Sequence, residues 1–175
     1  TKPAYIANKA FMQALYGTHP YHLQENGEID TVKALTSKDL KDFYQQHYNA
    51  KGAVIAIIGD LTKAEATAIA EVLSAGLPQT AGESSIPAVP FPKAAVKKSI
   101  QHPASQAHVL LGYPGVKRGD ADYFPLYVGN YILGGGGFVS RLTEEVREKR
   151  GLVYSVYSYF MPMHELGAFQ IGLQT

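Results

Sequence analysis

The sequence predicts an α+β domain in which helices pack on one face of a largely antiparallel sheet. Helical and strand-like segments alternate irregularly along the 175 residues, and a hairpin-like turn separates the last two strands. Hydrophobic residues make up 46% of the chain and charged residues 18%, a balance typical of a globular protein with a buried core. We expect a single domain over residues 1–175, with a linker-like excursion at residues 78–92 where Pro, Gly, Ser and Ala dominate.

Capping and stop signals define the helices. Gly17 ends a first helix, Thr36 or Ser37 begins a second, and Thr62 begins a third that is rich in alanine. Residues 18–30, after the first helix, are expected to form a loop. We therefore expect helices over residues 3–16, 37–48, 62–74 and 120–133.

Short runs of β-branched and aromatic residues define the strands. The continuous apolar run from Gly52 to Ile58 predicts a buried strand. Residues 163–167 resemble a hairpin turn, which predicts antiparallel pairing of the strands on either side. We expect strands over residues 52–58, 105–113, 153–159 and 168–173.

The most informative segment runs from Leu133 to Ser158. A glycine run precedes a charged helix in which Leu142 and Val146 follow the helical spacing. Gly151 supplies the stop signal of that helix, and a tyrosine-rich strand follows at once. The corner between helix and strand is therefore expected to bring an arginine and a tyrosine together.

This segment closely resembles the pitrilysin/insulinase family of zinc metallopeptidases, in its bacterial processing-peptidase-like branch. Residues 16–61 are similar to the opening of that family's C-terminal-type domain, with a His19-Pro20-Tyr21 turn, Gly27, a helix, and an apolar strand ending at Asp60. The motifs follow in the family's order over nearly the whole chain. The SRL/RE-RGL-Y block is specific, whereas the other motifs are weak individually.

The resemblance implies a zinc metalloendopeptidase as the parent protein, with zinc held by an H-x-x-E-H motif. That motif is absent at each histidine of this chain: His19, His22, His47, His102, His108 and His164. Cysteine is also absent, which excludes thiolate ligands. We therefore expect no metal site in this chain, which should be inactive alone, and zinc in the parent enzyme or a partner subunit.

The resemblance further implies that Arg147 and Tyr154, seven positions apart, are the catalytic and substrate-binding residues of this domain. A guanidinium can donate in a fork to carbonyl oxygens, and a phenol can donate to a developing oxyanion. Arg150 is the alternative arginine. On the residues alone, Arg147 could instead pair with a glutamate on a solvated helix, and Tyr154 could be a core tyrosine.

The glycine run is expected to bend and to bring backbone close to a bound peptide, with Gly135 and Gly136 as substrate-binding residues. No Lys followed by Ser or Thr comes after the run, and no G-x-G-x-x-G follows a strand. A nucleotide site is therefore not predicted.

Two arrangements fit the missing zinc motif. Either this chain is a fragment of a longer peptidase that carries H-x-x-E-H, or it belongs to a subunit that completes a partner's active site. The intact RE-RGL-Y block favours the second slightly. The alternative is a non-catalytic structural or scaffolding subunit of the same family, and a free-standing peptide-binding module is less favoured.

Composition limits the partners. The net charge is +1, no basic stripe suggests nucleic acid, and no apolar run approaches the length that spans a bilayer. Composition therefore indicates neither nucleic acid nor membrane as a partner. The family resemblance implies a peptide substrate, a zinc-bearing H-x-x-E-H half in the same chain or a partner subunit, and a dimer. The absence of cysteine suits a periplasmic or exported protein, with the cytoplasm as the alternative.

Overall fold

The computed structural model describes residues 2–79 and 85–175. The chain forms two compact units, one of Thr1–Asn26 with Ile86–Thr175 and one of Gly27–Ser85. The middle of the predicted excursion, residues 80–84, lies outside the described residues. In chain order the main elements are α1 (Pro3–Tyr16), α2 (Ile29–Ala34), α3 (Ser37–His47), α4 (Lys63–Ser74), β1 (His108–Pro114), α5 (Tyr123–Asn130), β2 (Ser155–Phe160) and β3 (Ala168–Gln174).

The larger unit contains a three-stranded antiparallel sheet with strand order β1-β3-β2. Leu173 of β3 lies opposite Val109 of β1 on one side and Val156 of β2 on the other. Strands β2 and β3 are consecutive in the chain and pair antiparallel, so they form the predicted hairpin. The α+β class and the antiparallel pairing are confirmed, as are three of the four predicted strands.

Helix α1 begins at Pro3, which suits the first turn of a helix because its nitrogen has no hydrogen to satisfy. It ends at Gly17, whose φ of 58° lies in the left-handed region. Its last turn buries Leu15 and Tyr16 against Val89 and Ala168. This cluster joins α1 to the start of β3 and forms the core of the larger unit.

The smaller unit contains α2, α3 and α4. The predicted helix starts are confirmed, because Thr36 and Thr62 each accept a hydrogen bond from a backbone N–H in the first turn of α3 and α4. Helix α2 was not predicted, since its first residues were assigned to a loop. A capping box between Glu28 and Thr31 starts it.

The predicted buried strand over residues 52–58 is wrong. This segment has no strand structure, and the side chains of Val54 and Ile58 are 94% and 99% exposed. The β-branched residues give the segment strand propensity, but a strand also needs a neighbour to satisfy its backbone N–H and C=O groups. No neighbouring strand pairs with it within residues 2–79 and 85–175.

The helices of the described residues are also too short or too polar to cross a lipid bilayer.

Candidate functional site

The predicted helix over residues 120–133 changes its geometry before it ends. The α-helical geometry of α5 ends at Asn130, and the chain continues as a π-helical segment, Tyr131–Gly135. At the end of this segment the N–H of Gly136 donates to the carbonyl oxygen of Tyr131 over 2.9 Å. A π-helical turn is wider than an α-helical turn, and such turns occur frequently at functional sites. The glycine run therefore begins inside a helix and not in an open loop.

Close packing requires glycine at the start of the run. A Cβ atom on Gly134 would lie 2.7 Å from the backbone nitrogen of Ser158 in β2 and 2.8 Å from Cδ1 of Leu142. Real Cβ atoms do not approach other heavy atoms so closely. Gly134 is buried, and its backbone fills the space between β2 and the helix that carries Arg147.

The two predicted substrate-binding glycines also face close neighbours. A Cβ on Gly135 would lie 2.7 Å from the side-chain nitrogen of Asn130, and a Cβ on Gly136 would lie 2.7 Å from the carbonyl oxygen of Tyr131. Packing against these groups accounts for both glycines. Their contact with a substrate remains a prediction.

A buried polar cap starts the charged helix. Ser140 is fully buried, its hydroxyl lies 3.1 Å from the hydroxyl of Thr143, and it accepts a hydrogen bond from the Thr143 N–H. The helix then runs over residues 141–148, and Thr143–Glu148 is a second π-helical segment. Arg147 lies in the last turn of this segment.

The helix ends as predicted at Gly151. Its φ is 60°, and its N–H donates to the carbonyl oxygen of Arg147 over 2.8 Å. Three residues later the N–H of Tyr154 donates to the carbonyl oxygen of Gln174, which ties the chain to the end of β3. Helix stop and strand start are therefore both fixed by backbone hydrogen bonds.

This corner brings Arg147 and Tyr154 together. The guanidinium carbon of Arg147 lies 5.6 Å from the centre of the Tyr154 ring, within cation–π distance. Tyr154 is 78% exposed, so it is not the core tyrosine that the residues alone allowed. The two predicted residues are neighbours at the surface.

Arg147 and Arg150 differ in how they pair with the acidic residues of the helix. Lys149 forms ion pairs with Glu144 at 2.9 Å and Glu145 at 2.6 Å, and Arg150 pairs with Glu145 at 3.1 Å. Hydrogen bonds from Lys149, and then from Arg150, lower the pKa of the Glu145 carboxyl below its ordinary value. Arg150 is therefore engaged with its own helix.

Arg147 has a weaker acidic partner. Its Nε lies 3.6 Å from a carboxylate oxygen of Glu148, which is longer than a hydrogen bond. The pairing that the residues alone allowed is present in this weak form. Most of the guanidinium's donor capacity remains for another acceptor.

Sequence reasoning missed Phe138. This residue follows the glycine run in a 3₁₀ turn, Gly137–Val139, and its ring centre lies 4.9 Å from the guanidinium carbon of Arg147. Phe138 is 77% exposed, much like Tyr154. The available signal was a large aromatic residue directly after four glycines, where a loop would ordinarily be polar.

The comparison with known families identifies the family of this chain. The family model described as the peptidase M16 inactive domain matches residues 34–175, which is most of the chain. The chain belongs to this family. The resemblance to pitrilysin/insulinase zinc metallopeptidases, noted first on the SRL/RE-RGL-Y block, is confirmed.

Two curated relatives show what kind of protein contains this M16 domain. An uncharacterized zinc protease of Streptomyces coelicolor is 32% identical over 178 residues, covering 97% of this chain and 38% of the relative. The uncharacterized zinc protease YmxG of Bacillus subtilis is 28% identical over 172 residues, covering 97% of this chain and 40% of the relative. The chain thus spans about two fifths of the length of the curated relatives it matches.

Solved structures confirm the fold. A peptidase M16 inactive domain from Pseudomonas fluorescens matches with a TM-score of 0.93 and 44% identity, covering 99% of this chain and 42% of that chain. A protease from Helicobacter pylori matches with a TM-score of 0.84 and 24% identity, covering 99% of this chain and 42% of that chain. At 24% identity, the match to the Helicobacter pylori protease supports the fold alone.

The side chains that the structure describes do not offer a site for the zinc that the names of these relatives imply. Across residues 2–79 and 85–175, no three His, Asp or Glu side chains form a group that could hold a metal ion. His19 is buried; its Nδ1 accepts from the N–H of Tyr21, so Nε2 carries the proton and donates to the carbonyl oxygen of Pro87 over 2.8 Å. His22 Nδ1 lies 2.8 Å from the carbonyl oxygen of His19. Both rings bind backbone.

Proposed function

We propose that this M16 domain supplies Arg147 and Tyr154 to the active site of a zinc metalloendopeptidase. The zinc motif of that enzyme would lie outside these 175 residues, in the same chain or in a partner subunit. The observation that supports the proposal most is the contact of an incompletely paired guanidinium with a largely exposed tyrosine, at the end of a π-helical segment.

Arg147 would hold the backbone of the substrate. A guanidinium keeps its charge at any physiological pH and presents several N–H donors in one plane, which suits carbonyl oxygens of an extended peptide. Glu144 and Glu145 form ion pairs with Lys149 and Arg150, so these two acids compete little with the substrate for the Arg147 guanidinium. Its role would be to bind and orient the peptide beside Tyr154.

Tyr154 would stabilise negative charge that develops on the carbonyl oxygen under attack. A phenol O–H placed against that oxygen donates a hydrogen bond that strengthens as the tetrahedral intermediate forms. The neighbouring guanidinium adds positive charge at the same place. Because the bond is strongest in the transition state, it would raise turnover more than substrate affinity.

The exposure of Tyr154 supports the need for a second half. Oxyanion stabilisation is strong where water is excluded, and Tyr154 is 78% exposed here. The described residues do line a groove of about 490 Å³, but its lining lies in the Gly27–Ser85 unit and includes none of the predicted site residues. A facing zinc-bearing half would cover the pair and trap the peptide between them.

The proposal is tested by replacing Tyr154 with phenylalanine in the complete enzyme, joined to its H-x-x-E-H half. We expect kcat on a peptide substrate to fall by roughly a hundredfold, with a smaller change in KM. Melting temperature should change little, because the ring stays and the lost hydroxyl is exposed. Tyr157→Phe is the matched control, since Tyr157 is another partly exposed tyrosine of the following strand and is expected to keep full turnover.

Equal turnover of wild type and Tyr154→Phe at equal thermal stability would instead favour the structural or scaffolding subunit. A zinc half that is as active alone as it is when assembled would contradict the proposal in a second way.

A further inference from the structure

The position of the Arg147 guanidinium is weakly fixed by polar groups. Within the described residues its ion pair is the 3.6 Å contact with Glu148, whose side chain is 57% exposed. An exposed ion pair of that length provides little orientation. The nearby acids of the helix pair instead with Lys149 and Arg150.

Two aromatic rings lie within cation–π distance of this guanidinium. Its carbon lies 4.9 Å from the ring centre of Phe138 and 5.6 Å from that of Tyr154. Both distances fall within the range of about 6 Å for cation–π attraction. A guanidinium that stacks on rings keeps its N–H donors available at its edges, because the donors lie in its plane.

The backbone holds Phe138 in position. Gly137 has a φ of 62°, and a Cβ there would meet no atom within 4 Å, so its backbone conformation alone favours glycine. The N–H of Ser140 donates to the carbonyl oxygen of Gly137 over 3.1 Å, and Ser140 itself is fully buried. The turn is thus anchored from its buried side while the Phe138 ring remains at the surface.

We propose that Phe138 is a positioning residue for Arg147, an inference that rests on the function proposed above. The Phe138 ring restricts the rotamers of the arginine and keeps its guanidinium beside the Tyr154 phenol. The N–H donors then face a peptide carbonyl placed against that phenol. The structure gives Phe138 no place in the buried core, which separates this role from a role in stability.

Three variants of the complete enzyme test this role through peptide hydrolysis. Phe138→Leu keeps an apolar side chain but loses the ring, and kcat/KM should fall about fivefold, the factor that corresponds to one exposed cation–π contact. Most of that loss should appear in KM, because Arg147 already binds the ground-state peptide. Phe138→Tyr restores a ring and should recover most of the loss. Val139→Ala is the matched control, since Val139 is the next residue and 79% exposed.

Two further measurements distinguish positioning from a general structural effect. Phe138→Leu should cause no additional loss in an Arg147→Met background, because no cation is left for the ring to position. In protein labelled at arginine, the Arg147 side-chain protons should move downfield in Phe138→Leu as the ring current disappears. They should stay unchanged in Val139→Ala.

The outcomes also separate this inference from the proposed function. If Arg147→Lys leaves hydrolysis intact, the function proposed for Arg147 is wrong and the inference falls with it. If Arg147→Lys impairs hydrolysis but Phe138→Leu does not, only the positioning role of Phe138 is overturned. Equal losses for Phe138→Leu and Phe138→Tyr, or an unchanged Arg147 spectrum in Phe138→Leu, would overturn it as well.

Discussion

The buried residues Asn130 and Ser158 are joined by two hydrogen bonds, one between their side chains and one from the Asn130 side chain to the backbone of Ser158. The amide nitrogen of Asn130 donates to the carbonyl oxygen of Ser158 over 3.0 Å, and the Ser158 hydroxyl donates to the amide oxygen of Asn130 over 2.6 Å. Both residues are less than 10% exposed, with Asn130 at 8% and Ser158 at 2%. Buried hydrogen bonds of this kind fix geometry because leaving either partner unsatisfied is costly.

This pair connects the end of α5 to the middle of β2. The backbone of Gly134 passes beside Ser158 and Leu142, so the same junction also contacts the helix that bears Arg147. The segments that carry Arg147 and Tyr154 are therefore packed against one polar junction. That junction links the two segments that place the Arg147 guanidinium carbon 5.6 Å from the centre of the Tyr154 ring.

The first prediction tests the packing at Gly134. Gly134→Ala should destabilise the fold by about 1–3 kcal/mol, the usual result of adding a methyl group where no space exists. Gly129→Ala is the matched control, because Gly129 lies in α5 and a Cβ there would meet no atom within 4 Å. That control should be neutral or stabilising by about 0.5–1 kcal/mol. Chemical denaturation of both variants measures the difference, and equal stabilities would contradict the packing.

Much of this architecture follows from short-range signals that the sequence displays. The helix of Pro3–Tyr16 and the caps at Thr36 and Thr62 depend on residues within one turn, so local chemistry decides them. The corner of Arg147 and Tyr154 was predicted because a helix, a stop glycine and a strand follow one another directly. The antiparallel pairing of β2 and β3 follows from the short turn between them.

The remaining features depend on contacts that are distant in sequence. Residues 52–58 have strand propensity, but pairing needs a neighbouring strand, which propensity does not reveal. The π-helical segments preserve helical sequence patterns while shifting the direction of side chains. The contact of Phe138 with Arg147 depends on the turn that Gly137 makes, so spacing alone did not identify it.

The second prediction concerns metal. The 175-residue chain, purified and washed with chelator, should retain far less than one equivalent of zinc by elemental analysis. The reason is that tight zinc binding needs three or four converging ligands, which the described residues do not offer. The complete enzyme with its H-x-x-E-H half, treated in the same way and resupplied with zinc, is the positive control. One retained equivalent on the isolated chain would contradict the prediction.

The third prediction uses the buried phenol of α1. Burial, with a smaller contribution from Tyr21, raises the pKa of Tyr16 to about 12 from an ordinary value of 10.0. A raised pKa means that this group's contribution to stability is complete below pH 10 and is lost as pH rises through about 12. The melting temperature of wild type should therefore fall in that window more than that of Tyr16→Phe. Tyr113→Phe, at an exposed position, is the control and should follow wild type.

Tyr16→Phe should lower the free energy of unfolding only slightly at neutral pH, because the Tyr16 hydroxyl donates a long hydrogen bond of 3.4 Å to the carbonyl oxygen of Leu166. Parallel stability curves of wild type and Tyr16→Phe between pH 9 and 12 would show that ionisation of this phenol is not linked to unfolding.

The last prediction separates the two arginines at the end of the charged helix. Arg147→Lys in the complete enzyme should raise KM for a peptide by roughly tenfold, because an ammonium cannot reproduce the two parallel donors of a guanidinium. Arg150→Lys is the matched control at the end of the same helix. The Arg150 side chain is 56% exposed and pairs with Glu145. A lysine can retain such an exposed ion pair, so hydrolysis should change less than twofold. A larger effect at position 150 than at position 147 would assign the substrate-binding role to Arg150, whose engagement with Glu145 would then have to break when the peptide binds.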